Sequence, residues 1–264
     1  MYLFEGDRSK LLAFCQENKL FFPIIGAVIE GTQEGSVYAN SEANPSSFFV
    51  VHKFGFAQFI EFYPDDEFAN RIIGELFLAK DNRKFRIYDV DERGKSRLRS
   101  LDLQSGINIQ NGTRERFVYP TAEKKPNSRL ASAVTEQNFE EVNDVFQLNL
   151  ETRFWNNAKQ ALEYGIPVLV TDGELASICY GAAVSGAWIE IDVTTRESMR
   201  HKGYGNLAVC AFVNRALNNK LIPCWDCYSD NPASLELAKS VGFEHISTYS
   251  FYIVSPSRQV AQAG

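Results

Sequence analysis

Between an apolar run ending at Thr195 and another beginning at Leu207 stands Arg200-His201-Lys202-Gly203-Tyr204-Gly205, and no other stretch restricts the possible folds of this chain so sharply. Two glycines one residue apart can take backbone angles closed to other residues, so successive N–H groups can turn inward on one point. With a helix running from Leu207 to about Asn218, that point lies at a helix N-terminus, where unsatisfied amides and the helix dipole attract an anion. Arg200 and Lys202 bring positive charge to the same place. The stretch reads as a phosphate cradle, and the rest of the chain must say which phosphate it holds.

Gly203-Tyr204-Gly205-Asn206-Leu207-Ala208 also spells G-x-G-x-x-A, and Asp226 stands about twenty residues on, the outline of a dinucleotide fingerprint. That fold wants its first glycine directly after a strand and several strand–helix units behind the acidic residue. Here Arg196 to Lys202 intervene, and only the 38 residues from Cys227 to Gly264 follow Asp226. Hairpins before the loop argue the same way, since dinucleotide sheets are parallel. Glycines that merely make a tight turn are the other alternative.

The second half patterns clearly. Asn138 to Leu150 and Phe154 to Tyr164 have helical spacing, the latter stopped by Gly165. Pro167 to Thr171 and Ala176 to Ala183 flank Asp172-Gly173, a hairpin signal, and Ala187 to Thr195 follows Ser185-Gly186 as a third strand. Behind the glycine loop come an apolar, hence buried, helix, a strand at Leu221 to Ser229, a helix started by Asn231-Pro232 and ended by Gly242, and a last strand at Ser247 to Val254.

The first half reads as a helix at Asp7 to Asn18, then antiparallel strands at Ile24 to Glu30, Ser36 to Ala39 and Ser47 to Phe62. A helix capped by Asp65 spans Glu67 to Ala79, and strands follow at Phe85 to Val90 and Arg114 to Tyr119, the second preceded by a turn at Asn111-Gly112. Arg93, Lys95, Arg97 and Arg99 form a basic cluster that can hold an anion or simply face solvent. This order of elements echoes the second half, as a degenerate internal duplication would. Glu123 to Ser128 is polar, contains Pro126 and resets the pattern, dividing the chain into an N-terminal α+β domain at 1–126 and a second domain at 127–264. A length of 264 residues suits two such units, and the fold class is mixed α+β.

Charge and cysteine usage narrow the partners. With 27 Lys and Arg against 33 Asp and Glu the net charge is −6, which does not select a nucleic acid. Cys15, Cys179, Cys210, Cys224 and Cys227 sit mostly in apolar runs and read as reduced core thiols. Cys224 and Cys227 spell C-x-x-C, but three apart on a strand they face opposite ways, and no second pair stands at ligand spacing, so no metal is expected. Met1 to Glu30 has no charged start followed by an apolar run, and Leu175 to Ile189 is short and glycine-broken for a membrane span. A soluble, cytoplasmic protein is the expectation.

Two motifs in order carry a resemblance. Arg200 to Gly205 fits Q/R-x-x-G-x-G/A, and Asn231-Pro232-Ala233-Ser234 followed by Gly242-Phe243 fits Asn, small residues, then Gly-Phe. With the helix and strand between them, the region from Asn127 to Val254 closely resembles the GNAT superfamily of acetyl-CoA-dependent N-acetyltransferases. Pro223-Cys224-Trp225-Asp226-Cys227 resembles a bacterial subgroup that includes antibiotic-resistance acetyltransferases. The resemblance implies a C-terminal GNAT fold whose largely antiparallel sheet splays between the strands ending at Thr195 and Ser229. It implies that the amides of His201, Lys202, Gly203, Tyr204, Gly205 and Asn206 bind the CoA pyrophosphate, with Arg200 and Lys202 near its charge. Val193, Thr194 and Thr195 would offer backbone groups to the pantetheine arm, and Asn231 and Ser234 would touch the cofactor from the next helix.

The implied reaction is attack of a neutral primary amine on the acetyl-CoA thioester, which needs an outlet for the amine proton and a donor for the oxyanion or the leaving thiolate. Asp226 on one splayed strand, and Glu190 with Asp192 on one face of the other, can bind a cationic amine or relay its proton. The family's tyrosine acid, seven residues past the asparagine, is Ala238 here, leaving Tyr228, Tyr249, Tyr252 or water as substitutes. No basic or aromatic motif advertises a macromolecule, so a small-molecule amine is the expected acceptor, with the N-terminal half shaping its side of the site. A non-catalytic acyl-CoA-binding or regulatory protein is the alternative, on the strength of Ala238.

Overall fold

The computed structural model describes residues 1–17, 21–63, 65–77, 84–102, 107–120 and 122–256. From the N-terminus the elements are β1 (Tyr2–Leu3), α1 (Ser9–Glu17), α2 (Pro23–Glu30), β2 (Gly35–Ala39), β3 (Ser47–His52) and β4 (Phe56–Glu61). Then come α3 (Asp66–Ile72) with a π-helical turn (Ile73–Phe77), β5 (Phe85–Tyr88), α4 (Glu92–Asp102) and β6 (Ile107–Val118). The second half supplies β7 (Ala131–Ala133), α5 (Phe139–Phe146), α6 (Leu150–Arg153), α7 (Ala158–Glu163), β8 (Val168–Asp172), β9 (Glu174–Ser185) and β10 (Trp188–Thr195). It closes with a 3-10 turn (Glu197–Met199), α8 (Tyr204–Asn218), β11 (Ile222–Tyr228), α9 (Pro232–Val241) and β12 (Glu244–Pro256).

The strands form one mixed sheet in the order β1-β2-β3-β4-β5-β12-β6-β11-β10-β9-β8-β7. Neighbours are antiparallel except β4 with β5 and β10 with β11. The sheet runs unbroken across residue 126, because β6 lies between β11 and β12 and pairs with both. One apolar cluster joins α1, α2, α5 and α7 to strands of both halves, through Leu11, Val28, Phe146 and Ala161 with Ile60, Tyr88, Ile178 and Tyr180. Two further clusters pack α3 and α4 on the first half and α8 and α9 on the second.

The segment Ile24 to Glu30 is a helix, not the strand its Val and Ile content suggests. Pro23 presets the first turn, Gly31 at φ 74° closes it, and every residue from Pro23 to Ile29 is buried. A short helix buried all round carries no polar stripe, so its periodicity cannot be told from that of a buried strand. Asn111-Gly112 is not a turn either: it lies inside β6, paired with Tyr252 and Phe251 of β12. The run Ser47 to Phe62 is two strands broken at Gly55, φ 78°, where an added Cβ would meet the Lys84 carbonyl oxygen at 1.9 Å. Asp65 does cap α3, accepting from the Phe68 N–H at 2.9 Å, while the expected ends of this helix and of α1, at Ala79 and Asn18, lie outside the described residues. The helix expected from Phe154 begins only at Ala158, capped by Asn157.

Candidate active site

β10 and β11 run parallel and are paired at Trp188–Ile222, Ile189–Pro223 and Glu190–Cys224. Beyond that point β10 continues to Thr195 on β9 alone and β11 to Tyr228 on β6, so the two strands part. One edge of Val193, Thr194 and Thr195 is thereby left without a strand partner and faces a cleft of about 1090 Å³. Unpaired backbone groups beside a cavity offer hydrogen bonds to any extended polar chain laid along them.

The glycine loop closes the cleft's far end. His201 sits at φ 61° and Gly203 at φ 83°, the latter as N-cap of α8 with no side chain covering the first amides. A Cβ on Gly203 would meet nothing within 4 Å, so the glycine is required by backbone angle and not by space. Gly205 differs: its Cβ would come 3.2 Å from Thr195 Oγ1, and the missing side chain lets α8 approach β10. Arg200, His201 and Lys202 are exposed, and Tyr204 swings its hydroxyl onto the Asp172 carboxylate. On the opposite wall Asn231 Oδ1 accepts from the Ser234 N–H at 3.1 Å, and Ser234 Oγ accepts from Trp225 Nε1 at 3.0 Å. The first of these bonds caps α9, and the second binds α9 to β11.

Of the residues singled out from sequence, Val193, Thr194, Thr195, Arg200, His201, Gly203, Tyr204, Gly205, Asn206, Asn231, Ser234 and Asp226 all line this one cleft, together with Asp192. Lys202 and Glu190 do not; the Lys202 amine turns back to Met199 Sδ at 3.5 Å.

The carboxylates belong to a buried charge cluster. Asp226, its side chain 1% exposed, takes the Arg114 Nε–H, receives the Tyr249 hydroxyl at 2.7 Å and lies 3.6 Å from Arg116. Strand pairing explains the meeting, because β6 sets Arg116 opposite Asp226 and Arg114 opposite Tyr249. Glu190 is 8% exposed, under the start of α2, where the Ile24 N–H turns to it. Burial pushes its carboxyl up to about 7, the Asp226 charge adding to this and Arg116 opposing it. Arg116 gives Nη2–H to the Phe21 carbonyl at 2.8 Å and stacks its guanidinium 5.0 Å from the Phe22 ring.

Sequence reasoning missed Arg114 and Arg116. Two arginines two apart on a strand share a face, which was readable, but their partners depend on a register that joins residues over a hundred positions apart. Ala238 is fully buried in the α8–α9 core. Among the tyrosine substitutes, Tyr249 is consumed by Asp226, Tyr252 packs in the N-terminal core, and Tyr228 lines the cleft with its ring 4.6 Å from the Arg114 guanidinium. Cys224 and Cys227 are buried free thiols, and burial pushes Cys224 up to about 12.

The family model described as GNAT acetyltransferase matches residues 16–252. A curated Bacillus subtilis (strain 168) protein, "Uncharacterized N-acetyltransferase YdfB", is 24% identical over 237 residues, covering 86% of this chain and 88% of that protein. Among solved structures, a GCN5-related N-acetyltransferase-like protein from Streptococcus suis 89/1591 superposes with TM-score 0.68 at 18% identity, over 93% of this chain and 97% of its own. A putative GNAT-family acetyltransferase from Novosphingobium aromaticivorans DSM 12444 gives TM-score 0.61 at 15% identity, over 91% and 100%.

Proposed function

The chain belongs to the GNAT acetyltransferase family, and from that premise we propose that it moves an acetyl group from acetyl-CoA to a primary amine of a small molecule by direct attack on the thioester. One observation carries the reading. The open edge of β10 and the uncapped, glycine-opened N-terminus of α8 meet in a single cleft, an extended hydrogen-bonding rail ending at an anion site. The cleft suits CoA on that ground: Val193 to Thr195 would hold the pantetheine arm, the amides from His201 to Asn206 the pyrophosphate, and Arg200 its charge. Asn231 and Ser234 would support the wall from α9. Bound acetyl-CoA supplies an electrophilic thioester carbonyl and a thiolate leaving group.

The chain's own residues manage charge and protons. Asp192, on the cleft wall with its Oδ2 accepting the Tyr180 hydroxyl at 2.9 Å, is proposed to attract the ammonium form of the acceptor. Glu190 changes protonation near neutrality, which suits a proton acceptor reached through a hydrogen-bonded relay. Asp226 holds Arg114 and the Tyr249 hydroxyl in place, and Arg114 in turn carries the Tyr228 ring. Tyr228 is proposed to give a proton to the leaving thiolate, the part that Ala238 cannot play. The net charge of −6 favours a cationic acceptor.

The division at 126 is proposed as one of roles, with the N-terminal half shaping the acceptor side. Membership of the bacterial subgroup with antibiotic-resistance enzymes, suggested by Pro223 to Cys227, and a cytoplasmic location belong to the same proposal; no helix among the described residues is long and apolar enough to cross a membrane.

Isothermal titration with acetyl-CoA and CoA, followed by thiol-release assays over a panel of amines, tests the reading. Binding with turnover of at least one small amine is expected. Absence of acetyl-CoA binding would sink it, and binding without turnover across the panel would favour the non-catalytic alternative. Tyr228→Phe is expected to lower kcat by about 10- to 100-fold with the acetyl-CoA affinity kept.

A further inference from the structure

The strand order has the same form from either end, since subtracting six from each strand number of the second half gives the first, and the parallel pairs β4–β5 and β10–β11 fall in equivalent places. β4 and β5 are joined at Phe56–Arg86 and Ala57–Ile87 and then part, as β10 and β11 do. Where they part, a cavity of about 290 Å³ opens, against about 1090 Å³ for the cleft of the second half. In sequence the first strand of each parting pair is followed by a helix, α3 after β4 and α8 after β10.

The chemistry of the two is inverted. α8 starts on uncapped Gly203 behind Arg200. α3 starts on Asp65, whose carboxylate accepts from the Phe68 N–H at 2.9 Å and from Asn40 Nδ2 at 2.7 Å, and its first turn continues with Asp66 and Glu67. A phosphate has no place there. The cavity wall instead carries Glu61, Asp89 and Asp91, against one cation, Arg97, which is bonded to Asp66.

Asp91 is occupied, accepting the Gly94 N–H at 2.7 Å as it caps α4. The Glu61 carboxylate accepts the Asp65 N–H, but its Oε1 is buried with no hydrogen-bond partner, and the half-buried Asp89 side chain has none among the described residues. Gln58 lines the cavity at 9% exposure, and its side-chain amide is likewise unpartnered among the described residues. Buried polar groups are nearly always satisfied in folded proteins, so the open Glu61 Oε1, with the Gln58 amide and the Asp89 carboxylate beside it on one cavity, calls for a ligand with donors. Burial raises the Glu61 and Asp89 carboxyls above the usual range, with Asp91 adding to both, and a bound cation would reverse this. Phe14, Ile60, Phe77 and Tyr88 make the remaining wall apolar or aromatic.

We propose that the cavity between β4 and β5 is a second ligand site, the counterpart of the cofactor cleft, which binds a small ammonium ion with an apolar body through Glu61, Asp89 and Gln58. The site stands apart from acetyl transfer, and its size suits an aralkylamine and not a nucleotide.

Isothermal titration of the full chain with tyramine, and with 4-ethylphenol as its uncharged counterpart, tests this, using wild type, Glu61→Gln and Asp89→Asn. Tyramine is expected to bind wild type, 4-ethylphenol to bind about tenfold or more weakly, and each substitution to weaken tyramine about tenfold. Acetyl-CoA affinity, titrated in parallel, is expected to stay within about twofold in both variants, which separates this site from the cofactor cleft. Gln58→Leu provides a third variant should one carboxylate change prevent folding, with the same loss expected. Equal affinity for the two probes, no tyramine binding to wild type, or unchanged tyramine affinity in the folded variants overturns the proposal.

Discussion

Four ionisable groups, Glu190, Asp226, Arg116 and the part-buried Arg114, cluster between the two halves of the sheet, and the cost of their burial is offset by one another and by polar partners such as the Tyr249 hydroxyl and the Phe21 carbonyl. Asp226→Asn removes a charge against which two guanidiniums rest. Urea denaturation is expected to register a loss of about 3 kcal/mol for it. Glu190 acts with the opposite sign. Its carboxyl, raised to about 7 from 4.5, keeps its proton in the folded chain where the unfolded chain has lost it, so stability falls as pH climbs from about 4.5 to about 7. His52, lowered by burial from 6.5 to about 4, remains neutral when folded, so stability falls instead as pH drops through that range. Between about pH 4.5 and 6.5 the two slopes oppose each other. Glu190→Gln removes one of them, and relative to wild type its unfolding free energy is expected to rise by about 2–3 kcal/mol from pH 5 to pH 8. A flat difference between the two proteins would show that Glu190 does not titrate as its burial demands. Glu190 and Asp226 were legible as candidate carboxylates; the arginines and Tyr249 that hold Asp226 were not, because cross-strand register joins them and local spacing does not.

At the scale of elements, end signals were the most readable. Asn231-Pro232 starts α9 and Gly242, at φ 100°, ends it, and Asn231→Ala is expected to cost about 1 kcal/mol through loss of the Ser234 N–H bond, measurable in thermal unfolding. In the loop before α8, Gly203→Ala imposes a left-handed alanine at about 1–2 kcal/mol with no clash to relieve. Relaxing that strain turns the loop amides, so acetyl-CoA is expected to bind about tenfold more weakly by titration while far-UV circular dichroism is unchanged. α2 was the element most easily misread. Pro23 and Gly31 are its helix signals, while its β-branched apolar content, which burial on all sides produces in helix and strand alike, points to a strand.

For the whole molecule the exchange of β6 and β12 matters most. β6 of the first half lies between β11 and β12, and β12 of the second lies between β5 and β6, so neither half holds a complete sheet. The apolar cluster under α2 also draws on both. Expressed alone, residues 127–264 lack the strand between β11 and β12, and their amide spectrum is expected to be that of an unfolded chain; a dispersed spectrum would show that β11 and β12 can pair without β6. The sequence by itself determined the helix caps, the hairpins, the glycine loop and its fit to an anion, because these depend on backbone angles and on residues a few positions apart. It determined also the resemblance that led to the GNAT family. Only the tertiary structure decided that the strands of the two halves interlock, that Arg114 and Arg116 hold Asp226, and that a second opening between β4 and β5 carries acidic walls in place of a phosphate cradle. Those features arise from strand register across the full length of the chain, and register is set by packing the whole sheet at once.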